Sequence, residues 1–269
     1  MSKDNRSKNG GEDKYYTRQY IADYVSQIIK DRYGNSEYIE PSAGSGIFLN
    51  SFKGYNISGY DINPHRDDIK KQDWFLINRE RINGKVVVGN PPFGFSASLA
   101  IKFIEVATKG RAKAICFILP KTFKKSSLQN KIDERYHLVQ EVELPKNSFF
   151  FYEKDNEYYD VPTVFQIWER SSKKRELEVL KTTSPYFEFT TKDKCDFCVR
   201  RAGGKSGQIL EGIDHTESST YFIKAKNDYV KKAFQIYDYK KYTDNTAGVK
   251  SISKHEIIEE IDRIVSILL

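Results

Sequence analysis

The stretch Val86-Val87-Val88-Gly89-Asn90-Pro91-Pro92-Phe93-Gly94-Phe95 decides how the rest of the chain reads. Three consecutive β-branched residues predict a short, fully apolar strand. Gly89 ends it. Each following proline fixes its own φ and pushes the residue before it out of the α region, so Asn-Pro-Pro-Phe is a stiff, extended turn and not a helix. A rigid loop at the end of a buried strand then presents one amide side chain, one prolyl carbonyl and one aromatic face. Such a set could hold a flat ring that carries an exocyclic amino group.

Upstream, the chain alternates between strand and helix patterns. Residues 15–29 carry Ile21, Tyr24, Val25, Ile28 and Ile29 at three-four spacing, which predicts a helix with Thr17 as its N-cap. Residues 37–49, Glu-Tyr-Ile-Glu-Pro-Ser-Ala-Gly-Ser-Gly-Ile-Phe-Leu, read as a strand ending at Glu40, a glycine loop, and a helix from near Ile47. Strand, glycine turn and helix open a Rossmann-like unit, in which Gly44 and Gly46 let the backbone approach a ligand without interference from a Cβ. The loop lacks the Gly-Lys-(Ser/Thr) ending of a phosphate-binding P-loop, which argues against ATP or GTP. The next strand, from Ile57, ends in Asp61. An acidic residue about twenty positions after the glycine loop can accept both hydroxyls of a ribose. Asp73 with Trp74 and Phe75 follows.

Downstream, Leu99, Ala100, Phe103, Ile104 and Ala107 mark a crossover helix over 97–107. Residues 113–119 form another buried strand, ended by Pro120, with Cys116 in its core. Lys121, Lys124 and Lys125 then fall at the same edge of the sheet if the strands are parallel. Residues 138–144 and 161–168 are further strands, and 147–157 read as a hairpin excursion between them, the late hairpin-like pair supplying an antiparallel strand. Alternating βα units argue for α/β architecture: a Rossmann-like, seven-stranded, mostly parallel sheet with helices on both faces. The pattern changes at Ser171. Two short β-type runs flank the glycine-rich basic turn 200–207, where Arg200, Arg201 and Lys205 could grip phosphates. Residues 253–267 predict a closing amphipathic helix with Ile257, Ile258, Ile261, Ile264 and Val265 on one side. The expected organisation is a disordered tail over 1–14, a catalytic domain over 15–170 and a small C-terminal α+β substrate-recognition region over 171–269.

The bulk properties are consistent with this. The 269 residues include 18 Tyr and 17 Phe, ample for a core. No run of about eighteen apolar residues suggests a membrane span, and the polar start lacks a signal peptide. Three cysteines indicate no disulfide framework and fit an intracellular setting, cytoplasmic or nuclear. Cys195 and Cys198 form a CxxC, but structural zinc needs four ligands and no second pair stands nearby, so no metal is expected. The net charge of +7 permits a polyanionic partner.

Asn90-Pro91-Pro92-Phe93 resembles the Asn-Pro-Pro-(Phe/Tyr/Trp) motif of S-adenosylmethionine (SAM)-dependent amino-methyltransferases, chiefly those that methylate N6 of adenine in nucleic acid. Glu40-Pro41-Ser42-Ala43-Gly44-Ser45-Gly46 resembles their (Asp/Glu)-Pro-x-x-Gly-x-Gly cofactor loop. Tyr15-Tyr16-Thr17 resembles their Tyr-(Phe/Tyr)-Thr-Pro element, with Arg18 in place of the proline. The order of elements, from about 15 to 170, resembles the γ arrangement of that family. The resemblance implies SAM as cofactor, with Tyr16, Thr17 and the helix start near its methionine carboxylate. It implies Asp61 and Ile62 at its ribose, and Asp73 with Trp74 or Phe75 at its adenine. The catalytic set would be Asn90, Pro91, Pro92 and Phe93, with Lys121, Arg200, Arg201 and Lys205 on a nucleic-acid substrate. DNA is the first reading of the acceptor. RNA, including a cap-adjacent adenosine, is the second; the Arg-Arg-Ala-Gly-Gly-Lys segment is loosely similar to enzymes of that last kind. Protein glutamine, guanine N2 and a silent SAM-binding or nucleic-acid-binding subunit stay open.

Overall fold

The computed structural model describes residues 16–150, 158–159, 161–246 and 248–269. The expected tail over 1–14 and most of the loop of the expected hairpin excursion lie outside them. The chain divides into two compact units, one made of the residues up to Phe123 with Leu128–Leu177, the other of Lys124–Ser127 with Glu178–Leu269.

The first unit carries strands β1 (Tyr16–Thr17), β2 (Tyr38–Glu40), β3 (Ile57–Asp61), β4 (Lys70–Lys71), β5 (Val86–Gly89), β6 (Ala114–Pro120), β7 (Tyr136–Glu143), β8 (Phe149–Phe150), β9 (Tyr158–Tyr159) and β10 (Thr163–Arg170). Its helices are α1 (Gln19–Tyr33), α2 (Ile47–Ser51) and α3 (Ser98–Lys109). A further turn, α4 (Ser126–Gln129), straddles the division between the units. Seven strands form one sheet in the order β4-β3-β2-β5-β6-β10-β7. β2 through β6 run parallel; β10 pairs antiparallel with both β6 and β7. Six strands therefore point one way, and β10 supplies the antiparallel member. The expected hairpin excursion instead pairs with β1. β8 lies antiparallel to both β9 and β1, with Tyr16 opposite Phe150.

The two central strands have no polar face to spare. All four residues of β5 and all seven of β6 are buried, as expected where helices cover both sides of a parallel sheet. α3 is the crossover between them and buries Ala100, Phe103, Ile104 and Ala107 against Val87, Ile115 and Phe117. Fully burying a side chain the size of Ile104 or Phe103 stabilises by about 1.5–3 kcal/mol.

Two local expectations are corrected. Thr17 does not cap α1: it sits in β1, paired with Phe149, and the cap position falls to Arg18, whose amide donates to the Ser148 carbonyl at 3.0 Å. Strand pairing holds Thr17 extended, so the helix begins later. Tyr24 does not join the buried face of α1 and is 48% exposed, while Ala22 and Ser26 are buried in the stripe with Ile21, Val25 and Ile29.

The second unit is a four-stranded antiparallel sheet in the order β11 (Phe187–Thr190), β14 (Thr220–Ala225), β12 (Phe197–Arg200), β13 (Ile209–Leu210). Helices α5 (Tyr229–Ile236), α6 (Lys240–Thr243) and α7 (Lys254–Leu268) complete it. The predicted apolar side of α7 is buried throughout, and Ser253 and Glu256 form a reciprocal capping box at its start. No helix among the described residues is long and apolar enough to cross a membrane.

Candidate active site

Parallel strands deliver their following loops to one sheet edge, at the carboxyl ends, where α/β folds bind ligands. Four loops meet there, and a cavity opens between them in the first unit. After β2 comes the glycine loop. At the end of β3 come Asp61 and then Ile62, Asn63 and His65. After β4 come Gln72, Asp73, Trp74 and Phe75. After β5 comes Asn90-Pro91-Pro92-Phe93. All of these residues except Gly46 line the cavity, as do Tyr16 and Thr17 from β1 and Leu99 and Phe103 from α3.

The glycine loop is tied down from β3. Asp61 Oδ2 accepts from the Gly44 amide at 2.7 Å and Oδ1 from the Asn63 amide at 2.8 Å. The Ala43 amide donates to the Tyr60 carbonyl at 2.9 Å, and the His65 amide to the Gly44 carbonyl at 3.2 Å. Gly44 has φ +49 and faces Tyr16, whose Cε1 lies 3.5 Å from where a Cβ would stand. Gly46 departs from its expected role. It does not line the cavity, and the space its missing side chain leaves is filled by the Arg66 guanidinium, not by room for a ligand.

Glu40 is 2% exposed at the floor of the cavity, and its Oε2 has no hydrogen-bond partner among the described residues. Burial pushes this carboxyl well above the usual range and the nearby Asp61 carboxylate adds to the shift, with Arg66 pulling the other way. Gly89 (φ +139) ends β5 against it: a Cβ there would lie 3.3 Å from Glu40 Cγ.

The Asn-Pro-Pro-Phe turn touches the glycine loop. Ser42 Oγ donates to the Asn90 carbonyl at 3.3 Å. Phe93 is 6% exposed, and its carbonyl accepts from the amides of Leu99 (3.1 Å) and Ala100 (3.3 Å). That closure forces left-handed backbone at Gly94 (φ +68), Ser96 (φ +51) and Ala97 (φ +64), conformations that cost a non-glycine residue about 1–2 kcal/mol each. Strain of this kind persists where surrounding structure over-determines it, commonly beside functional sites.

The aromatic pair after β4 divides. Trp74 borders the cavity but is 2% exposed, stacks on Phe103 with centroids 6.4 Å apart and donates from Nε1 to the Phe103 carbonyl at 3.2 Å. Phe75 is 42% exposed and meets Phe103 edge-on. Phe75 is thus the ring with an open face. Asp73 Oδ1 accepts from the Phe75 amide at 2.8 Å, capping the short turn.

The basic residues expected on a nucleic-acid substrate are not among those that line the cavity. Lys121 is absent from the lining and pairs with Glu143, Nζ to Oε2 at 2.9 Å. Lys125 belongs to the second unit, where its Nζ lies 3.1 Å from Glu256 Oε2. Arg200, Arg201 and Lys205 are also in the second unit, on the β12–β13 hairpin. Arg200 Nη1 donates to Ser219 Oγ at 2.8 Å, Arg201 lies over the Tyr221 ring at 5.7 Å, and Lys205 is exposed. Cys198 is buried with its thiol donating to the Gly212 carbonyl, and the Cys195 thiol donates to that of Lys192.

Sequence reasoning passed over His65, Leu99 and Phe103. Leu99 and Phe103 look like ordinary core positions of α3, and only their place at the cavity edge separates them. His65 stands in no motif, and only the fold brings its ring to 6.3 Å from that of Tyr16 in the cavity lining.

The donor set fits S-adenosylmethionine. Asp61 and Asp73 bring carboxylate oxygens to the cavity, groups able to accept from hydroxyl or amino donors, and Phe75 brings a partly exposed ring.

Residues 50–177 match the model of the EDM2 methyltransferase-like domain family. Protein ENHANCED DOWNY MILDEW 2 of Arabidopsis thaliana is 32% identical over 126 residues, 42% of this chain but only 10% of that protein. Among solved structures, a proposed RNA methyltransferase of Pyrococcus horikoshii aligns over 60% of this chain and 88% of its own, with TM-score 0.46 and 13% identity. The tRNA (uracil-54, C5)-methyltransferase of Pyrococcus abyssi, solved with S-adenosyl-L-homocysteine, aligns over 55% of this chain and 38% of its own, with TM-score 0.39 and 15% identity.

Proposed function

We propose that this chain is a SAM-dependent methyltransferase that transfers a methyl group to the exocyclic N6 amino group of adenine in DNA. The observation that carries the reading is that Asn90, Pro91, Pro92 and Phe93 line the same cavity as the glycine loop, joined to it by the Ser42 hydroxyl, which donates to the Asn90 backbone carbonyl. The match of residues 50–177 to a methyltransferase-like domain supports the same class of reaction.

SAM bound here supplies an electrophilic methyl group on a sulfonium. The chain's residues prepare the acceptor. The lone pair of an adenine amino group is delocalised into its ring, so the amine is a poor nucleophile. Asn90 Oδ1 and the Pro91 carbonyl each accept one N–H, which draws the nitrogen toward tetrahedral geometry and turns its lone pair outward. The prolines leave the turn few backbone conformations, which favours presenting both acceptors to an arriving substrate at little ordering cost. Preset acceptors where positive charge develops contribute up to a few kcal/mol each. Phe93 stacks on the base, worth about 1–3 kcal/mol. A duplex target must be flipped out to reach them. Arg200, Arg201, Lys205 and Lys121 contribute phosphate contacts.

The test is incubation of the protein with tritiated SAM and DNA, RNA and protein acceptors in parallel, followed by digestion and chromatography. Label in N6-methyldeoxyadenosine is the expected result. Label confined to N6-methyladenosine moves the acceptor to RNA, and label on guanine or glutamine overturns the adenine reading.

A further inference from the structure

Gly46 is not among the residues that line the cavity, although its neighbours Ser45 and Ile47 are. Its φ of +79 is left-handed, and a Cβ built there would run into the Arg66 guanidinium, with Cζ at 2.9 Å and Cδ at 3.0 Å. Arg66 occupies that space with both edges of its planar head engaged. Nη1 donates to the Gly46 carbonyl at 3.2 Å and to Asn50 Oδ1 at 2.7 Å. Nε and Nη2 donate to Asp68 Oδ1 and Oδ2 at 2.9 and 2.6 Å, a bidentate pair that fixes the fork's orientation. The Gly46 carbonyl also accepts from the Asn50 amide at 3.0 Å, the first bond of α2. One guanidinium thus joins the segment after β3 to the point where the glycine loop becomes a helix.

From this geometry we infer that Arg66 is a positioning residue for the cofactor loop, holding residues 43–47 in the binding conformation from outside the cavity. The inference rests on the proposal that this loop holds SAM. Two left-handed glycines within three residues make the loop permissive, and permissive backbone is costly to order. Asp61 pins the Gly44 end at its amide. Arg66 pins the Gly46 end, so the ordering is complete before a ligand enters, which is where preorganisation gains affinity. Gly46 is needed here because Arg66 takes its side-chain space. Lysine cannot replace the arginine: a single ammonium lacks the fork that meets Asp68 and Gly46 together.

The experiment measures SAM affinity by calorimetry, and methyl-transfer kinetics, for the wild type, R66M, R66K, G46A and the G46A/R66A double variant. R66M and R66K are expected to weaken SAM binding about tenfold, while kcat at saturating SAM and KM for the nucleic acid stay within about twofold. G46A is expected to weaken SAM binding more, and adding R66A to recover part of that loss, because the clash goes and only the strain of a non-glycine residue at positive φ remains. Losses that multiply independently, or an R66M protein that binds SAM as the wild type does, overturn the inference. So does a fall in kcat at saturating SAM, which would mark a general structural lesion. Amide exchange over residues 43–47 without any cofactor reads the brace separately: faster exchange in R66M supports it and unchanged exchange overturns it. A wild type that binds no SAM would end the cofactor proposal, and the exchange result would still stand.

Discussion

Asp61 Oδ2 accepts a hydrogen bond from the Gly44 backbone amide at 2.7 Å, closing the end of β3 onto the loop that follows β2. Asp61 also lines the cavity, and the proposed function gives its carboxylate a second task, accepting from the ribose of the cofactor. Hydrogen bonds to a charged acceptor contribute about 1.5–3 kcal/mol. Asp61→Ala is expected to weaken SAM binding by at least about tenfold and to lower Tm by a few degrees. Unchanged affinity by calorimetry would remove Asp61 from the site.

Asn90→Ala is expected to abolish methyl transfer and leave SAM binding nearly intact, because the proposed role of its amide oxygen is toward the acceptor amine. Equal loss of both in parallel calorimetry and transfer assays would contradict that role. The Ser42 bond goes to the Asn90 backbone carbonyl and survives the substitution.

The neighbours Trp74 and Phe75 should separate stability from binding. Trp74→Ala removes a buried indole stacked on Phe103 and is expected to cost about 3–5 kcal/mol in denaturant unfolding. Phe75→Ala removes a ring whose open face is at the cavity, so it should weaken SAM binding several-fold with little change in unfolding midpoint. The reverse pattern would exchange their assignments.

Glu40 gives a pH signature. Its folded-state carboxyl is raised by burial and by Asp61, so the native state holds a proton that the unfolded chain releases. Where the native state binds more protons, stability falls with rising pH. The loss should begin at the ordinary carboxylate range and continue upward through the raised value. Glu40→Gln removes the titration, so its plot of Tm against pH should be flatter than the wild type's over that window. Parallel curves would show that Glu40 does not ionise there.

Charge reversal at Arg200 and Arg201 should weaken nucleic-acid binding, with a larger effect at low salt, and should lower the slope of log K against log salt by about one for each phosphate contact removed. Identical slopes would return the β12–β13 hairpin to an ordinary solvated turn.

The sequence by itself determined the strands and the turn. Short unbroken apolar runs at 86–88 and 114–119, bounded by Gly89 and Pro120, suit the middle of a sheet covered on both faces, and consecutive prolines hold the turn after Gly89 extended. Tertiary structure decided what depends on partners distant along the chain. Thr17 lost its cap role to pairing with Phe149, and Trp74 turned inward because Phe103 offered it a carbonyl and a ring. Arg66 took the side-chain space at Gly46, where the sequence suggested room for a ligand. Periodicity and proline act through a residue's own backbone and nearest turns, so they are written locally. A shared hydrogen bond or a filled gap exists only once the sheet has brought its two halves together.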